Sequence, residues 1–212
     1  MWMSFVVASA IAYLLGSIPF GLILVRTFRG MDVRQTGSGN IGSANVARLS
    51  RGLGVWTLIL DSAKGYVAVI IARAIANHSA AGAASLRNVG IVVGASALFA
   101  VLGHMFSVFL KFKGGKGVAT AMGAFLAILP LAVLIAALLY IAIYAFSHYT
   151  SLASITSAAL FPVIAGILMT PAERQVVLPF IAAVCLIIVV KHHQNIRRLL
   201  SGTENRLELK RP

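Results

Sequence analysis

Long apolar runs constrain the fold of this 212-residue chain more than any other feature. A transmembrane helix needs about 20 predominantly apolar residues, and runs of about that kind occur near 3–25, 53–76, 89–110, 118–147, 152–170 and 175–191. Hydrophobic residues make up 59% of the chain and charged residues only 11%, a balance too apolar for a soluble fold of this size. The sequence therefore predicts an all-α, polytopic membrane helix bundle that forms a single domain over residues 1–212.

The run 118–147 decides how many helices cross the membrane. As one helix it would be roughly 45 Å long, against a hydrocarbon core of about 30 Å, and Pro130 near its middle is expected to break or kink it. Two short helices give seven in total and leave 14 of the 18 Lys and Arg residues on one side, in the loops 26–52, 111–117, 147–151 and 191–212. Because cytoplasmic loops collect basic residues, we expect seven transmembrane helices, with the N-terminus outside and the C-terminus cytoplasmic.

The net charge of +13 fits the same picture. The basic bias of cytoplasmic loops explains it first, and anionic lipid head groups or phosphorylated substrates explain it next, so no nucleic-acid partner is expected. The first basic residues, Arg26 and Arg29, follow the first apolar run. A cleavable signal peptide carries positive charge before that run, so none is expected. Cys185 lies alone in an apolar run, which leaves no partner for an internal disulfide.

A glycine-rich polar segment, GSGNIGSANVAR, follows the first apolar run at 37–48. Successive glycines allow backbone N–H groups to converge on an anion, and the Ser and Asn side chains add neutral donors. Arg48 supplies a planar cation suited to phosphate. A flexible solvated loop is the alternative. The pattern favours an anion-binding turn before a helix start.

A second glycine-rich segment lies within GHMFSVFLKFKGGKGVAT, residues 103–120. Three glycines (114, 115 and 117) and two lysines precede a predicted helix start, which again indicates an anion cradle. The positive-inside bias alone would explain Lys113 and Lys116 but not the glycines. No Ser or Thr follows Lys116, so a Walker-type nucleotide loop is not indicated. His104 lies in the last turns of the preceding run, where a helix–helix hydrogen bond is an equal alternative to a site role.

The third group of candidates lies in the last third of the chain. Ser151 and Ser154 open the sixth apolar run, where hydroxyl residues are also common packing residues. His192 and Asn195 are three apart and share a helix face. Arg197 and Arg198 have the pattern of ordinary interfacial anchors.

Acidic residues are scarce, and the complete set is Asp32, Asp61, Glu173, Glu204 and Glu208. Catalysis by a pair of carboxylates and a metal site built from carboxylates both need more acidic residues than this chain offers. Neither a metal nor a cofactor is therefore expected. No His-x4-Asp spacing occurs. Asp61 and Lys64 lie inside the second apolar run with a spacing that allows them to pair, for either a functional or a structural purpose. Such a donor-rich, base-poor set stabilises negative charge rather than abstracting protons.

These groups, in this order, resemble the acyl-phosphate-dependent glycerol-3-phosphate acyltransferase family of bacteria. The resemblance covers nearly the whole chain through GSIPFG (16–21), GSGNIGSANVAR (37–48), LDSAKG (60–65), GHMFSVFLKFKGGKGVAT (103–120), SLAS (151–154) and HHQNIRRLLSGTE (192–204). Ser43 and Ser107 stand where the family often has Thr and Pro.

The resemblance implies a seven-helix enzyme of the bacterial inner membrane with its motifs on the cytoplasmic face. It implies transfer of a fatty acyl group from acyl phosphate to the 1-hydroxyl of glycerol 3-phosphate, which gives lysophosphatidic acid and phosphate in the first acylation step of phospholipid synthesis. Acyl-CoA and acyl carrier protein are not the family's donors. The expected partners are glycerol 3-phosphate, acyl phosphate, membrane lipids and an enzyme that supplies acyl phosphate.

We assign the catalytic roles to Ser38, Arg48, Lys116 and His192. Arg48 and Lys116 are expected to hold the phosphate of glycerol 3-phosphate, and Ser38 with its glycine-rich loop is expected to hold acyl phosphate. The expected substrate-binding residues are Gly39, Asn40, Gly42, Ser43, Asn45, Asp61, His104, Gly114, Gly115, Gly117, Ser151, Ser154, Asn195 and Glu204.

Three proton acceptors remain open: His192, Asp61 and a substrate phosphate. A covalent acyl-Ser38 intermediate is less expected, because no histidine is near Ser38 in sequence. Two other classes of protein share these features. A transporter of an anionic solute also uses broken helices and basic cradles, although its site would lie near the membrane midplane. A non-catalytic binder of lipid head groups would show no turnover with any donor.

Overall fold

A computed structural model describes residues 2–78 and 86–207, and its regular secondary structure over those residues is entirely helical. The long helices pack side by side as a bundle, and short helices flank one end of it. Over the described residues the α-helices are α1 (Trp2–Ser17), α2 (Phe20–Arg29), α3 (Ser43–Leu49), α4 (Arg51–His78), α5 (Leu86–Met105), α6 (Val118–Ile128), α7 (Pro130–Ser147), α8 (Thr150–Leu168), α9 (Pro171–Lys191) and α10 (His193–Leu200).

The first apolar run, near 3–25, is interrupted and contains two helices, although Trp2–Arg29 as a whole is long and apolar enough for the one span predicted there. α1 ends at Ser17 and α2 begins at Phe20, with Pro19 between them. Proline lacks an N–H donor and disfavours helical geometry at the residue before it, which here is Ile18. α2 then continues past the predicted end to Arg29, where Gly30 caps it with a φ of 64°.

Pro130 divides the long run near 118–147, and this predicted break is confirmed. α6 ends at Ile128, and α7 begins at Pro130 after Leu129, whose φ of −144° is not helical. Arg73 donates a hydrogen bond of 2.8 Å to the carbonyl of Ala127, an acceptor that the break leaves without a helical partner. Pro130 was therefore enough to predict the break between α6 and α7 from the sequence.

Six segments of the described chain are long and apolar enough to cross a membrane, namely Trp2–Arg29, Arg51–His78, Arg87–Leu110, Pro130–Ser147, Thr150–Leu168 and Pro171–Lys191. α6 is apolar but has only 11 residues, a length of about 16 Å. It is too short to cross a bilayer alone, so the count of seven crossings stays a prediction. The segment 26–52, expected to be a loop, also contains α3, the end of α2 and the start of α4.

Glycines allow the helices around the polar end to approach closely. A Cβ on Gly16 of α1 would overlap the backbone of Ala100 on α5, and one on Gly65 of α4 would overlap the carbonyl oxygen of Thr120 on α6. Lipid is as apolar as the helix surfaces, so the hydrophobic effect does not drive helices together within a membrane. Small residues instead stabilise the contact because they allow close van der Waals packing. α4 and α5 are thereby fixed against α6 and α1, and these helices carry the charged residues described below.

The apolar core lies between α5, α6, α8 and α9. Phe125 of α6 stacks on Phe161 of α8, with ring centroids 4.7 Å apart and an interplanar angle of 12°. Val184 and Ile188 of α9 are buried in the same cluster. This core borders the cavity at the polar end of the bundle.

Candidate active site

A cavity of about 720 Å³ opens among α3, α4, α6, α7, α8 and the segment after α10. It brings together residues from all three predicted clusters, although these are separated by many tens of residues in the chain. Among the predicted site residues, those that line the cavity are Ser38, Asn40, Gly42, Ser43, Asn45, Arg48, Asp61, His104, Lys116, Gly117, Ser151, Ser154, His192, Asn195 and Glu204. Gly39, Gly114 and Gly115 are not part of that lining.

Asn45 organises the first glycine-rich loop from within. Its Nδ2 donates to the carbonyl oxygens of Val33 (3.0 Å), Thr36 (3.1 Å) and Asn40 (2.8 Å), and its Oδ1 accepts from the Ser38 N–H at 2.9 Å. The Asn45 side chain is therefore fully used in holding the loop. Asn45 therefore has a structural role, and its contact with substrate stays a prediction.

Two glycine N–H groups of this loop contact acceptors within the loop itself. The Gly39 N–H donates to the carbonyl of Thr36 at 2.9 Å, and the Gly42 N–H approaches Asn40 Oδ1 at 3.4 Å. Gly39 adopts a φ of 70°, which explains why glycine stands there. The donors that remain toward the cavity are the side chains of Ser38, Asn40 and Ser43.

Arg48 contacts the segment that follows α10. Its guanidinium donates to the backbone carbonyls of Asn205 and Arg206, each at 3.3 Å. A guanidinium has five N–H donors, so these two bonds leave others for an anion in the cavity. The sequence did not predict this contact, because residues 157 and 158 positions apart meet only in the folded chain.

The second glycine-rich segment folds back against α5. The N–H groups of Gly114 and Gly115 donate to the carbonyls of Met105 (3.1 Å) and His104 (3.0 Å). Gly117 has a φ of 81° and precedes α6, and no side chain caps the N-terminus of that helix. Gly117 and the first residues of α6 line the cavity. The anion-facing donors of this segment are therefore the first N–H groups of α6, which carry the positive end of the helix dipole, and Lys116.

A chain of hydrogen bonds joins Lys116 to the third cluster. Lys116 Nζ donates to Asn195 Oδ1, and Asn195 Nδ2 donates to Glu204 Oε1 at 2.6 Å. Glu204 also accepts from Ser151 Oγ at 2.8 Å and from Arg198 Nε at 2.7 Å. Arg198, which was predicted to be an interfacial anchor, also forms an ion pair with Glu204.

This network sets the charge states of its members. Burial lowers the pKa of Lys116 to about 8, against the opposing attraction of Glu204. Burial alone would raise the pKa of Glu204, but hydrogen bonds from Asn195, Ser151 and Arg198 lower it below its ordinary value. Glu204 is therefore ionised at neutral pH, and most of Lys116 is still charged there.

His192 is buried at the junction of α9 and α10. Its Nδ1 lies 2.7 Å from the carbonyl oxygen of Ile188, so Nδ1 carries the donated proton and Nε2 is an acceptor. Burial lowers the pKa of His192 to about 4, and the nearby Lys116 acts in the same direction. At neutral pH, His192 is an uncharged and weak base.

Asp61, Lys64 and His104 form a buried polar cluster between α4 and α5. Lys64 Nζ lies 2.8 Å from Asp61 Oδ1, which confirms that the two residues pair, and 2.9 Å from His104 Nδ1. Asp61 and His104 reach the cavity lining. The participation of His104 depends on the packing of α5 against α4, which no local pattern reveals.

Two serines at the start of α8 have different partners. Ser151 contacts Glu204, as described, whereas Ser154 Oγ donates to the carbonyl of Thr150 at 2.8 Å. Ser107, which stands where the resembling family often has proline, donates to the carbonyl of Ser17 at 2.6 Å and ties the turn after α5 to the end of α1. These bonds fix the rim of the cavity.

The deeper part of the cavity is apolar. Phe125, Phe161, Val133 and Ile188 line it, and Cys185 contributes to the same wall. The segment after α10 covers the polar end, where the Leu207 N–H donates to the His148 carbonyl at 3.1 Å. Sequence reasoning missed the lining residues Arg51, Tyr140, Tyr144 and Leu207. Within the described residues, no group of three or more His, Cys, Asp or Glu side chains is placed to hold a metal ion.

Several known proteins are similar to this chain in sequence and in fold. A family model described as glycerol-3-phosphate acyltransferase matches residues 6–202. The glycerol-3-phosphate acyltransferase of Geobacter sulfurreducens is 45% identical over 203 residues, which cover 95% of this chain and 97% of the relative. The enzyme of the same name from Geotalea daltonii is 46% identical over 195 residues, covering 92% and 93%.

Two solved structures have the same fold. Both are crystal structures of PlsY (YgiH), an integral membrane glycerol 3-phosphate acyltransferase, one in a glycerol 3-phosphate form and one in a lysophosphatidic acid form. Each is 36% identical in sequence and covers 97% of this chain and 96% of its own. The TM-scores are 0.83 and 0.82.

Proposed function

This chain belongs to the glycerol-3-phosphate acyltransferase family, and we propose that its acyl donor is acyl phosphate and its acceptor the 1-hydroxyl of glycerol 3-phosphate. The hydroxyl oxygen forms a bond to the acyl carbon, and the bond from that carbon to the phosphate oxygen breaks. The products are lysophosphatidic acid and inorganic phosphate. The reaction needs no cofactor.

One observation carries this proposal: a single cavity joins two groups of anion-binding donors to an apolar chamber. Lys116 and the uncapped start of α6 form one donor group. Ser38, Asn40 and Ser43 form the other. Both substrates carry a phosphate, and one also carries a fatty chain, so this combination matches the pair.

We assign the phosphate of glycerol 3-phosphate to Lys116 and Arg48, with Asn195 and His192 beside them. Lys116 and Asn195 are already hydrogen-bonded, and Glu204 fixes the Asn195 amide. A charged donor held in this way is prepared for an anion before the substrate arrives. The acyl phosphate is then assigned to the Ser38 side, with its chain against Phe125 and Phe161.

Catalysis on this assignment is mainly orientation and charge stabilisation. Acyl phosphate has a good leaving group, and fixed donors near the carbonyl oxygen stabilise the negative charge that develops there. His192 is a weak base because its pKa is lowered to about 4, and Asp61 is paired with Lys64. The leaving phosphate is therefore our preferred proton acceptor. If His192 were the general base, His192→Ala would lower kcat by well over tenfold.

We propose that the chain lies in the bacterial inner membrane with the site facing the cytoplasm. The loops that meet at the cavity are the basic ones, which supports a cytoplasmic location under the positive-inside rule. The N-terminus then lies outside. A reporter fused after Pro212 is expected to be cytoplasmic, and a periplasmic reporter would contradict both the orientation and the count of seven crossings.

The donor is tested with purified enzyme in detergent or lipid vesicles and labelled glycerol 3-phosphate. Acyl phosphate is expected to give labelled lysophosphatidic acid, whereas acyl-CoA of the same chain length is expected to give none. Turnover with acyl-CoA alone would overturn the proposal. Uptake of glycerol 3-phosphate into vesicles without any donor would instead indicate a transporter.

A matched pair of lysines tests the phosphate assignment. Lys116 lines the cavity, whereas Lys113 lies in the same segment, is exposed and is outside the lining. Lys116→Met is expected to lower kcat/KM for glycerol 3-phosphate by about a hundredfold, as for loss of one buried charged contact. Lys113→Met is expected to retain activity, and equal losses in the two variants would refute the assignment.

A further inference from the structure

The buried cluster of Asp61, Lys64 and His104 contains more contacts than the Asp61–Lys64 ion pair alone. Lys64 Nζ contacts Asp61 Oδ1 at 2.8 Å, the Ile18 carbonyl at 2.7 Å and His104 Nδ1 at 2.9 Å. The exposed fractions of Asp61, Lys64 and His104 are 1%, 5% and 3%. These side chains are therefore held mainly by contacts with one another and with the backbone.

The contacts determine which nitrogen of His104 carries a proton. The ion pair with Asp61 favours the ammonium form of Lys64, which has no lone pair and can only donate. Nδ1 of His104 must then accept with its lone pair. The imidazole is neutral, and its single proton is on Nε2.

The Nε2 edge of His104 points to a gap between the two glycine-rich segments. A Cβ built on Gly115 would overlap Nε2 and would lie 3.2 Å from Asn40 Oδ1. No hydrogen-bond acceptor among the described residues contacts Nε2, and His104 is part of the cavity lining. This ring nitrogen is not among the fully buried unpartnered atoms of the described residues, so it is open to the cavity beside Asn40, where a ligand oxygen can accept from it.

We propose that Asp61 and Lys64 are positioning residues that lock His104 as a neutral Nε2–H donor to an anionic oxygen of the acyl phosphate. This inference rests on the proposed assignment of acyl phosphate to the Ser38–Asn40 side. It gives the intramembrane charges a role in the reaction without a proton transfer. Asp61 is occupied in orienting Lys64 and is not the base.

A pair of His104 substitutions tests the donor. Glutamine carries an amide N–H at about the position of Nε2 but cannot ionise, whereas leucine fills a similar volume with no donor. His104→Leu is expected to lower kcat/KM for acyl phosphate by about 10²-fold, as for removal of one oxyanion donor. His104→Gln is expected to stay within about tenfold of the unmodified enzyme. KM for glycerol 3-phosphate is expected to remain unchanged in both variants. Equal losses with Leu and Gln would overturn the proposal.

A double-mutant cycle separates positioning from bracing. Asp61→Asn with Lys64→Met removes both charges together and leaves no uncompensated ion. In the enzyme with His104 this pair of changes is expected to lower kcat by about tenfold, since the imidazole proton is then free to move to Nδ1. In the His104→Gln background the same pair is expected to change kcat by less than about twofold. Similar losses in both backgrounds would show that the ion pair only braces the helices.

A spectroscopic measurement keeps the inference testable if the charge-free variant fails to fold. ¹⁵N-histidine NMR of the unmodified enzyme, with the His104→Gln protein to assign the signal, reports the tautomer directly. The expected pattern at neutral pH is a neutral ring protonated on Nε2. A ring protonated on Nδ1, or on both nitrogens, would overturn the inference. Failure of acyl phosphate as a donor to the unmodified enzyme would contradict the proposed function and leave this tautomer result unaffected.

Discussion

Asn45→Asp is a nearly isosteric change that tests how the first glycine-rich loop is held. Asn45 is 2% exposed, and its Nδ2 faces three carbonyl oxygens, those of Val33, Thr36 and Asn40, at 2.8–3.1 Å. An aspartate keeps the acceptor for the Ser38 N–H but replaces the donating group with an oxygen. Three carbonyls then face an oxygen instead of an amide.

The size of the effect follows from the donors lost. Leaving a buried polar group without its partner costs about 1–3 kcal/mol. The amide has two hydrogens, so we expect a loss of about 2–6 kcal/mol, which falls to about 1–3 kcal/mol if the aspartate takes up a proton and regains one donor. A loss of about 2 kcal/mol lowers the population of the ordered loop by up to about thirtyfold.

The assay combines thermal unfolding in detergent with acyl transfer under kcat/KM conditions. Gln35→Glu is the matched control, because it adds the same charge to the same loop at an exposed position. Asn45→Asp is expected to lower Tm by several degrees and kcat/KM by at least tenfold, whereas Gln35→Glu is expected to change neither by a comparable amount. Unchanged activity in Asn45→Asp, or an equal loss in both variants, would refute the structural role of Asn45.

Three further predictions concern the network around Lys116. Glu204→Gln, which weakens three hydrogen bonds, is expected to lower kcat/KM by about tenfold or more, while Glu173→Gln at the start of α9 is expected to leave it unchanged in the same assay. Because the pKa of Lys116 is lowered to about 8, its charge is present below that pH and is lost above it. A pH profile of kcat/KM should therefore fall above about pH 8, and Lys116→Arg should remove that fall. Gly117→Ala is expected to destabilise the protein by about 1–2 kcal/mol at a φ of 81°, whereas Gly52→Ala at an open helical position should be neutral or slightly stabilising in thermal unfolding.

Local sequence signals predicted the parts of the fold that depend on local chemistry. Pro130 broke its helix because a proline cannot continue the hydrogen-bond ladder, and Asp61 and Lys64 paired because a spacing of three places them on one face. Pro19 carried the same signal as Pro130 and was overlooked inside an apolar run. The sequence analysis also predicted that the three motif-bearing loops lie on one side of the membrane. The three motifs do line one cavity.

The contacts that complete the site could not be predicted from local patterns. Arg48 reaches the carbonyls of Asn205 and Arg206, and His104 joins the Asp61–Lys64 pair across two helices. Each depends on how separate helices pack. The glycine-rich loops showed a different limitation. Their composition correctly indicated tight turns, but the N–H groups of Gly39, Gly114 and Gly115 are used within the fold. The anion-binding role stays a prediction, which now rests on side chains and the start of α6.

Direct transfer of the acyl group from bound acyl phosphate to the 1-hydroxyl of bound glycerol 3-phosphate is tested most directly by rapid-quench kinetics with radiolabelled acyl phosphate. We predict that phosphate release and lysophosphatidic acid formation share one rate, and that release is negligible when glycerol 3-phosphate is absent. A burst of one phosphate per enzyme without glycerol 3-phosphate, with the acyl group retained on Ser38 or another side chain, would contradict the account.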